Sequence, residues 1–211
     1  GGSSASTSVV SRVERWLFRK VDSLLVIHDR FRQYIVTEMG IESSKVSVSR
    51  NWTHIKPLEI SNTELETVRS SMGWGDDEKI VLHSGNMGVK QDLMNVIEAG
   101  RVADATPGNK VRFILMGGGS ERNDLVAACR TVRSVEIVDS VSDDLYPRVL
   151  AAADVLLVNE KPGSQDVAVP SKLTSYFSSG KPVVAASEYG SATRIEVENA
   201  GGGVCVAPGD P

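Results

Sequence analysis

The sequence predicts an α/β protein built on a parallel sheet of about six strands flanked by helices. Three observations carry this. From Glu64 onward, short apolar runs alternate with helix-like stretches, the pattern of strand–helix units feeding one parallel sheet. Runs such as Ile80-Val81-Leu82 and Val155-Leu156-Leu157-Val158 are continuous rather than alternating, which suits strands covered on both faces. Glycines follow two of these runs, at Gly85 and at Gly117-Gly118-Gly119. A glycine lets the chain turn and lets its backbone approach another group closely.

The elements follow in order. Gly1 to Ser8 reads as a flexible leader. Val9 to Lys20 has apolar residues at helical spacing and four bases, Arg12, Arg15, Arg19 and Lys20, so it reads as a basic amphipathic helix. Ser23 to Ile27 is a buried strand, Asp29 caps a helix that runs to Met39 and ends at Gly40, and Lys45 to Ser49 is a strand. Asn51 to Leu58, with Pro57, reads as a linker. Then come a helix over Glu64–Met72, a strand over Lys79–His83, a glycine turn over Ser84–Gly88 and a helix opened by Lys90. A strand over Val111–Met116, a helix over Glu121–Arg130 and a strand over Val135–Val138 follow. Ser142 caps a helix over Asp143–Ala152, which feeds a strand over Asp154–Val158. Glu160 to Asp166 is a long loop. Ser171 caps a short helix with Leu173, Tyr176 and Phe177 on one face; Gly180 ends it and Pro182 bars continuation. A strand over Val183–Ala186, a helix over Ser191–Asn199 and a strand over Gly203–Val206 complete the pattern.

The chain has 211 residues, long for one domain and short for two. Its 27 acids outnumber its 23 bases, for a net charge of −4, which argues against a general nucleic-acid binder. Cys129 and Cys205 match no metal spacing and read as buried free thiols in a reducing compartment. No apolar run reaches membrane-spanning length, and no signal peptide is visible. Both ends read as cut from a longer chain.

In a parallel sheet, ligands bind beyond the carboxyl ends of the strands, so the loops after strands are the candidate site. Gly85, Asn86 and Gly88 with Lys90 form one such loop. Gly117 to Gly119 form a second, and Val141 with Ser142 a third. His83 sits at a strand end and is a candidate substrate contact, whereas His28 and His54 read as structural or surface residues. The start of the Ser171 helix, with Lys172, is a candidate anion site. Walker A, G-x-G-x-x-G, H-E-x-x-H and G-x-S-x-G patterns are all lacking, which leaves P-loop, dehydrogenase, metal and serine-hydrolase chemistry without support.

Taken together, six stretches resemble the family-4 glycosyltransferases of the GT-B fold, nearest to bacterial members that build capsule, exopolysaccharide or O-antigen chains. They are Val21–Ile27; Lys45–Val48 with Asn51-Trp52; Ser84–Gly88 with Lys90-Gln91; Met116–Gly119 with Arg122; Ala152–Val155; and Pro170–Leu173 through Gly180–Val183. The resemblance implies that residues 54–211 are a Rossmann-like C-terminal domain that binds a nucleotide-sugar. Residues 1–53 would be a leader and the tail of an N-terminal, acceptor-binding domain. It implies diphosphate contacts from Gly85, Asn86, Lys90, Ser171, Lys172 and Leu173, with Lys90 and Lys172 the catalytic cations. Gly117 and Gly118 would lie near the nucleoside, Val141 and Ser142 would flank the base, and Ser175 would lie near ribose or sugar. The donor would be a UDP- or GDP-sugar and the acceptor a glycan or a lipid-linked glycan. Transfer would retain anomeric configuration without metal or cofactor, in the cytoplasm, with a peripheral membrane contact in the full-length enzyme.

Two departures from the family pattern stand out. Many relatives carry two glutamates where this chain has Val167 and Ser175, and many carry an arginine where it, like the nearest subgroup, has Asn86. The alternative is therefore a non-catalytic nucleotide- or partner-binding module of the same fold. A sugar-nucleotide epimerase shares the fold, but the histidine–acid constellation expected of one is not evident in this chain. The piece is expected to bind a donor nucleotide without turning over.

Overall fold

A computed structural model describes residues 4–50, 59–164 and 169–211, with side chains from Val10 onward. The expected linker Asn51–Leu58, which contains His54, lies outside the described residues, as do Asp166 and Val167. The chain divides into two compact units, Gly1–Trp52 and Thr53–Pro211.

The first unit holds α1 (Ser4–Lys20), β1 (Leu24–Val26), α2 (Asp29–Thr37) and β2 (Val46–Val48). β1 and β2 pair in parallel, and Val26, Ile35, Met39, Ile41 and Val46 form the core. The expected flexible leader is already helical from Ser4. The cap of α2 is His28, not Asp29: its Nδ1 accepts the Phe31 amide at 3.2 Å. His28 is thus structural, as its sequence context suggested.

The second unit holds α3 (Asn62–Ser71), β3 (Lys79–Asn86), α4 (Leu93–Ala105), β4 (Val111–Gly118), α5 (Arg122–Cys129) and β5 (Val135–Val138). Then come α6 (Tyr146–Ala152), β6 (Val155–Asn159), α7 (Lys172–Ser178), β7 (Val183–Ala186), α8 (Ala192–Ala200) and β8 (Gly203–Val206). The six strands form one parallel sheet in the order β5-β4-β3-β6-β7-β8. Period-two alternation sends successive residues to opposite faces. Leu82, Ile114, Leu156 and Val183 join residues of α3, α6, α7 and α8 in one core. Leu115 and Leu157 join residues of α4 and α5 in the other. Both faces are covered, as the continuous apolar runs predicted.

The chain runs outward from β3 to β5, then returns to lay β6 on the other side of β3. The loops after β3 and β6 therefore leave in opposite directions, and a crevice opens between them. β3 pairs with β4 along its whole length, Lys79–Asn86 against Val111–Gly118, but with β6 only at Val81↔Val155 and Leu82↔Leu156. At the amino edge Asp154 ties the two strands. Its carboxylate accepts the Ile80 amide at 2.8 Å and the Arg69 guanidinium at 3.1 Å. At the carboxyl edge, the next ladder bond would run from the Ser84 amide to the Leu157 carbonyl. The Tyr176 hydroxyl stands in its place, accepting from Ser84 N at 2.9 Å and donating to Leu157 O at 3.4 Å.

Several expected boundaries move. β3 continues through the predicted glycine turn to Asn86, because Gly85 and Gly117 pair side by side. A Cβ on Gly117 would stand 2.1 Å from the Gly85 carbonyl oxygen, and its φ is +138°. Lys90 does not open α4. It lies in a 3₁₀ turn, Val89–Gln91, separated from α4 by Asp92 in the left-handed conformation (φ 43°). Ser142 does not cap a helix at Asp143; its carbonyl accepts the Leu145 and Tyr146 amides, and α6 starts at Tyr146.

Two outcomes follow. Gly117→Ala forces a side chain into a backbone and strains a positive φ, so thermal unfolding should show a loss of about 3 kcal/mol, a fall in Tm on the order of 10 °C. Burial opposes ionisation of Asp154, but the Ile80 amide and the Arg69 guanidinium outweigh it and hold the carboxyl below its usual range. A depressed carboxylate contributes stability above its unfolded pKa of about 4, lost as pH falls through the folded value. Asp154→Asn should therefore cost about 1–3 kcal/mol at pH 7, and its urea midpoint should fall less than the wild type's between pH 5 and pH 3.

Candidate functional site

The crevice between β3 and β6 gathers residues from four segments. The 3₁₀ turn after β3 brings Lys90. Its position is set by Asn159, the buried last residue of β6, whose Nδ2 donates to the Gln91 and Asp92 carbonyls at 2.8 and 3.0 Å. The Lys161 amide donates to the Lys90 carbonyl at 2.8 Å, so the backbone under Lys90 is held by the loop that follows β6. Glu160, next after β6, is anchored through its amide to the Ala186 carbonyl and through its carboxylate to the Thr193 hydroxyl. Lys172 opens α7. Lys90, Glu160 and Lys172 line one pocket of about 170 Å³, with Gln91, Val158, Asn159, Val169 and Pro170 as its remaining walls.

Lys172 is half-buried as a residue, and its ammonium end is packed inward. Nζ lies 3.2 Å from Nε2 of His83, and a Cβ on Gly85 would meet the lysine's Cε and Nζ at 3.7 Å. His83 and Gly85, two apart on β3, face the same side, opposite to the core that α7 packs against. The lysine spans the carboxyl edge of the sheet between them. Burial pulls the Lys172 pKa down to about 8, a shift that the Glu160 carboxylate partly offsets. Burial, and then the Lys172 charge, pull His83 down to about 3, although the Asn86 and Leu157 carbonyls favour its protonated form. The imidazole is therefore neutral at any ordinary pH. Its Nε2 must accept from the ammonium, which places the proton on Nδ1. Nδ1 is buried with no partner of good hydrogen-bond geometry, even though those two carbonyls lie near the ring.

Beside the pocket runs a chain of hydroxyls. Ser84 Oγ lies 2.9 Å from Tyr146 Oη and 3.2 Å from Tyr176 Oη. Burial raises both phenol pKa values; the Ser84 hydroxyl lowers both, and the neighbouring Ser175 hydroxyl also lowers that of Tyr146. Ser175 thus belongs to a partly buried network joining α7, α6 and β3.

The sequence-predicted residues divide accordingly. Lys90 and Lys172 come together, with Gly85 against the second. Asn86 and Gly118, paired across the strand ends, and Ser142 and Ser171 are exposed at the rim. Val141 is half-buried against the core. Leu173 is a correction: its side chain is fully buried in the core and its amide donates to the Pro170 carbonyl. Gly117 is buried and is explained by its packing on Gly85. Ser171 makes no side-chain cap, because its own backbone is helical (φ −57°, ψ −28°) and an N-cap hydroxyl needs an extended residue. His83 is another correction, since full burial removes it from substrate. Glu160, Asn159 and the Tyr176 hydroxyl were not singled out by sequence. Glu160 carried a usable signal as the first residue after a rim strand. Among the described residues, no group of three or more His, Cys, Asp or Glu side chains could hold a metal ion, and no helix is long and apolar enough to cross a membrane.

Residues 78–211 match the family described as Glycosyl transferases group 1. WcaI of Escherichia coli, assigned as a glycosyl transferase of colanic acid biosynthesis, is 32% identical over 199 residues, covering 92% of this chain and 48% of its own. The 2-deoxystreptamine glucosyltransferase of Streptomyces kanamyceticus is 25% identical over 155 residues, 71% of this chain and 40% of its own. The chain thus spans about half the length of the curated relatives it matches. Among solved structures, Anabaena HepE in complex with UDP superposes with a TM-score of 0.79 at 19% identity, covering 97% of this chain and 55% of that one. The lipopolysaccharide glycosyltransferase WaaG gives 0.76 at 19% identity, with the same coverage. These two establish the fold, about half of a GT-B architecture. With the family match spanning more than half its residues, the chain belongs to the group 1 glycosyl transferases.

Proposed function

We propose that this chain is the donor-binding portion of a glycosyltransferase that moves a sugar from a UDP- or GDP-sugar to a glycan or lipid-linked acceptor. The observation that carries the reading is the meeting of Lys90 and Lys172, from loops about eighty residues apart, in one pocket where the strand order reverses. As a glycosidic bond to a nucleoside diphosphate breaks, negative charge gathers on the departing diphosphate. Lys172, held in a partly desolvated position where water screens it little, and the exposed Lys90 beside the same pocket stabilise that charge without a metal. Gly85 lets the end of Lys172 pack directly over the strand backbone. Asn86, Gly118, Val141, Ser142 and Ser171 sit on the same rim, where a nucleoside would extend. HepE has been solved with UDP-glucose, which supports a uridine nucleotide as the first to test.

Retention of configuration, independence of metal and cofactor, and the lack of turnover by this portion alone belong to the same reading. So do membership of the capsule, exopolysaccharide or O-antigen type, for which the colanic acid assignment of WcaI is the support, and a cytoplasmic location. A peripheral membrane contact is supported by α1, which exposes Val10, Val13 and Trp16 on a helix that also carries Arg12, Arg15, Arg19 and Lys20.

Calorimetric titration with UDP, GDP and ADP tests the reading. One of them should bind, and Lys90→Ala and Lys172→Ala should each weaken it by about ten- to a hundredfold, the worth of one charge-assisted hydrogen bond. Absence of binding by all three, or unchanged affinity in both variants, would sink the donor site.

A further inference from the structure

The pairing of His83 with Lys172 asks for its own explanation. A histidine at the end of a central strand, fully buried, is a costly place for an imidazole unless both nitrogens are used. Only Nε2 has a partner of good geometry, and that partner is the ammonium proposed to meet the diphosphate. The contact is long-range in sequence, joining β3 to α7 across the splayed edge of the sheet. An aliphatic residue in this position would leave the ammonium buried with one fewer acceptor. A free lysine amine would rotate through many positions on its four-carbon stem. Here it is stopped between the imidazole on one side and the open face of Gly85 on another.

We propose that His83 is a positioning residue: its neutral imidazole fixes the Lys172 ammonium over Gly85 and stabilises its charged form, so that a group that never touches the ligand sets the strength of diphosphate binding. The inference rests on the donor-site reading above for its consequence, but not for its geometry. The charged and titratable groups facing Lys172 are His83 from β3, Glu160 from the end of β6 and Lys90 from the 3₁₀ turn. Lys172 titrates near pH 8. Below that value it is charged and binds anions; above it the charge is lost, so nucleotide affinity should fall as pH rises past about 8. Removing the acceptor destabilises the charged amine and moves that fall to lower pH.

Two experiments on this chain test the proposal. In the ligand-free protein, imidazole ¹⁵N shifts of His83 should show an unprotonated Nε2 and a protonated Nδ1 from pH 5 to 9. They should inflect near pH 8, and Lys172→Met should abolish the inflection. A proton on Nε2, or no inflection, overturns the proposal whatever the nucleotide does. In titrations with UDP, or whichever nucleotide binds, His83→Met should weaken binding about tenfold at pH 7.5 and move the alkaline fall about one pH unit lower. His83→Gln, which restores an acceptor, should stay within about threefold of wild type. If His83→Met keeps the wild-type affinity and pH profile, His83 does not position the lysine. If instead the ¹⁵N result holds and Lys172→Ala binds like wild type, Lys172 does not meet the diphosphate, the proposed consequence of the pairing is overturned and only its geometry stands.

Discussion

The Tyr176 hydroxyl occupies the gap between the Ser84 amide and the Leu157 carbonyl, and the crevice depends on this one substitution of a side chain for a ladder bond. A parallel pair left to itself would go on pairing while both strands remain extended. β3 and β6 both extend past their last paired residues, Leu82 and Leu156. With the phenol oxygen between them, the backbone groups stay satisfied while the strands part. An unsatisfied amide and carbonyl in that place would each cost about 1–3 kcal/mol. The hydroxyl lets the sheet open at its carboxyl edge without that cost, while Asp154 and Arg69 keep the amino edge closed.

The opening also fixes what can stand inside it. Tyr176 is on α7, one turn after Lys172, so the residue that parts the strands also sets the helix that delivers the lysine. Lys172 then reaches residues on the far side of β3. Its partner there must be an acceptor without charge: a carboxylate would compete with an anionic ligand, and a cationic partner would repel the lysine. A histidine held neutral by burial meets both conditions. Glu160 does carry a negative charge into the same pocket, but the Thr193 hydroxyl already holds its carboxylate.

The fold was largely legible because both faces of the sheet are covered, and covered strands announce themselves as unbroken apolar runs. The inner strands β4, β3, β6 and β7 fell where such runs stood, whereas the edge strands are less pure: Glu136 interrupts β5, and β8 alternates half-buried with exposed residues. Caps and turns were less legible, because they depend on contacts distant in sequence. Asp92 can adopt a left-handed backbone in company with Asn159, which lies 67 residues away, so the apparent start of α4 at Lys90 was an illusion of local pattern. At the site, Lys90 and Lys172 were legible from their loops. The role of His83 was not, since a histidine at a strand end looks the same whether it faces a ligand or a buried lysine. Tyr176 was read from its spacing as a core residue, which it is; only the partner its hydroxyl needs could have hinted at more.

Ser175 shows how these parts constrain one another. In the family pattern its position carries a carboxylate, and here it carries a hydroxyl next to Tyr146, which in turn touches Ser84 and so adjoins Tyr176. Burial already pushes both phenols to higher pKa. An ionised glutamate in that network would be partly desolvated, and as a strong acceptor it would compete for the hydroxyl protons that Ser84, Tyr146 and Tyr176 now share. The serine is therefore matched to its surroundings, and reverting it alone would disturb the hydroxyls that hold the crevice open. Among the described residues lining the pocket, the acid present is Glu160, which comes from the end of β6 and not from α7.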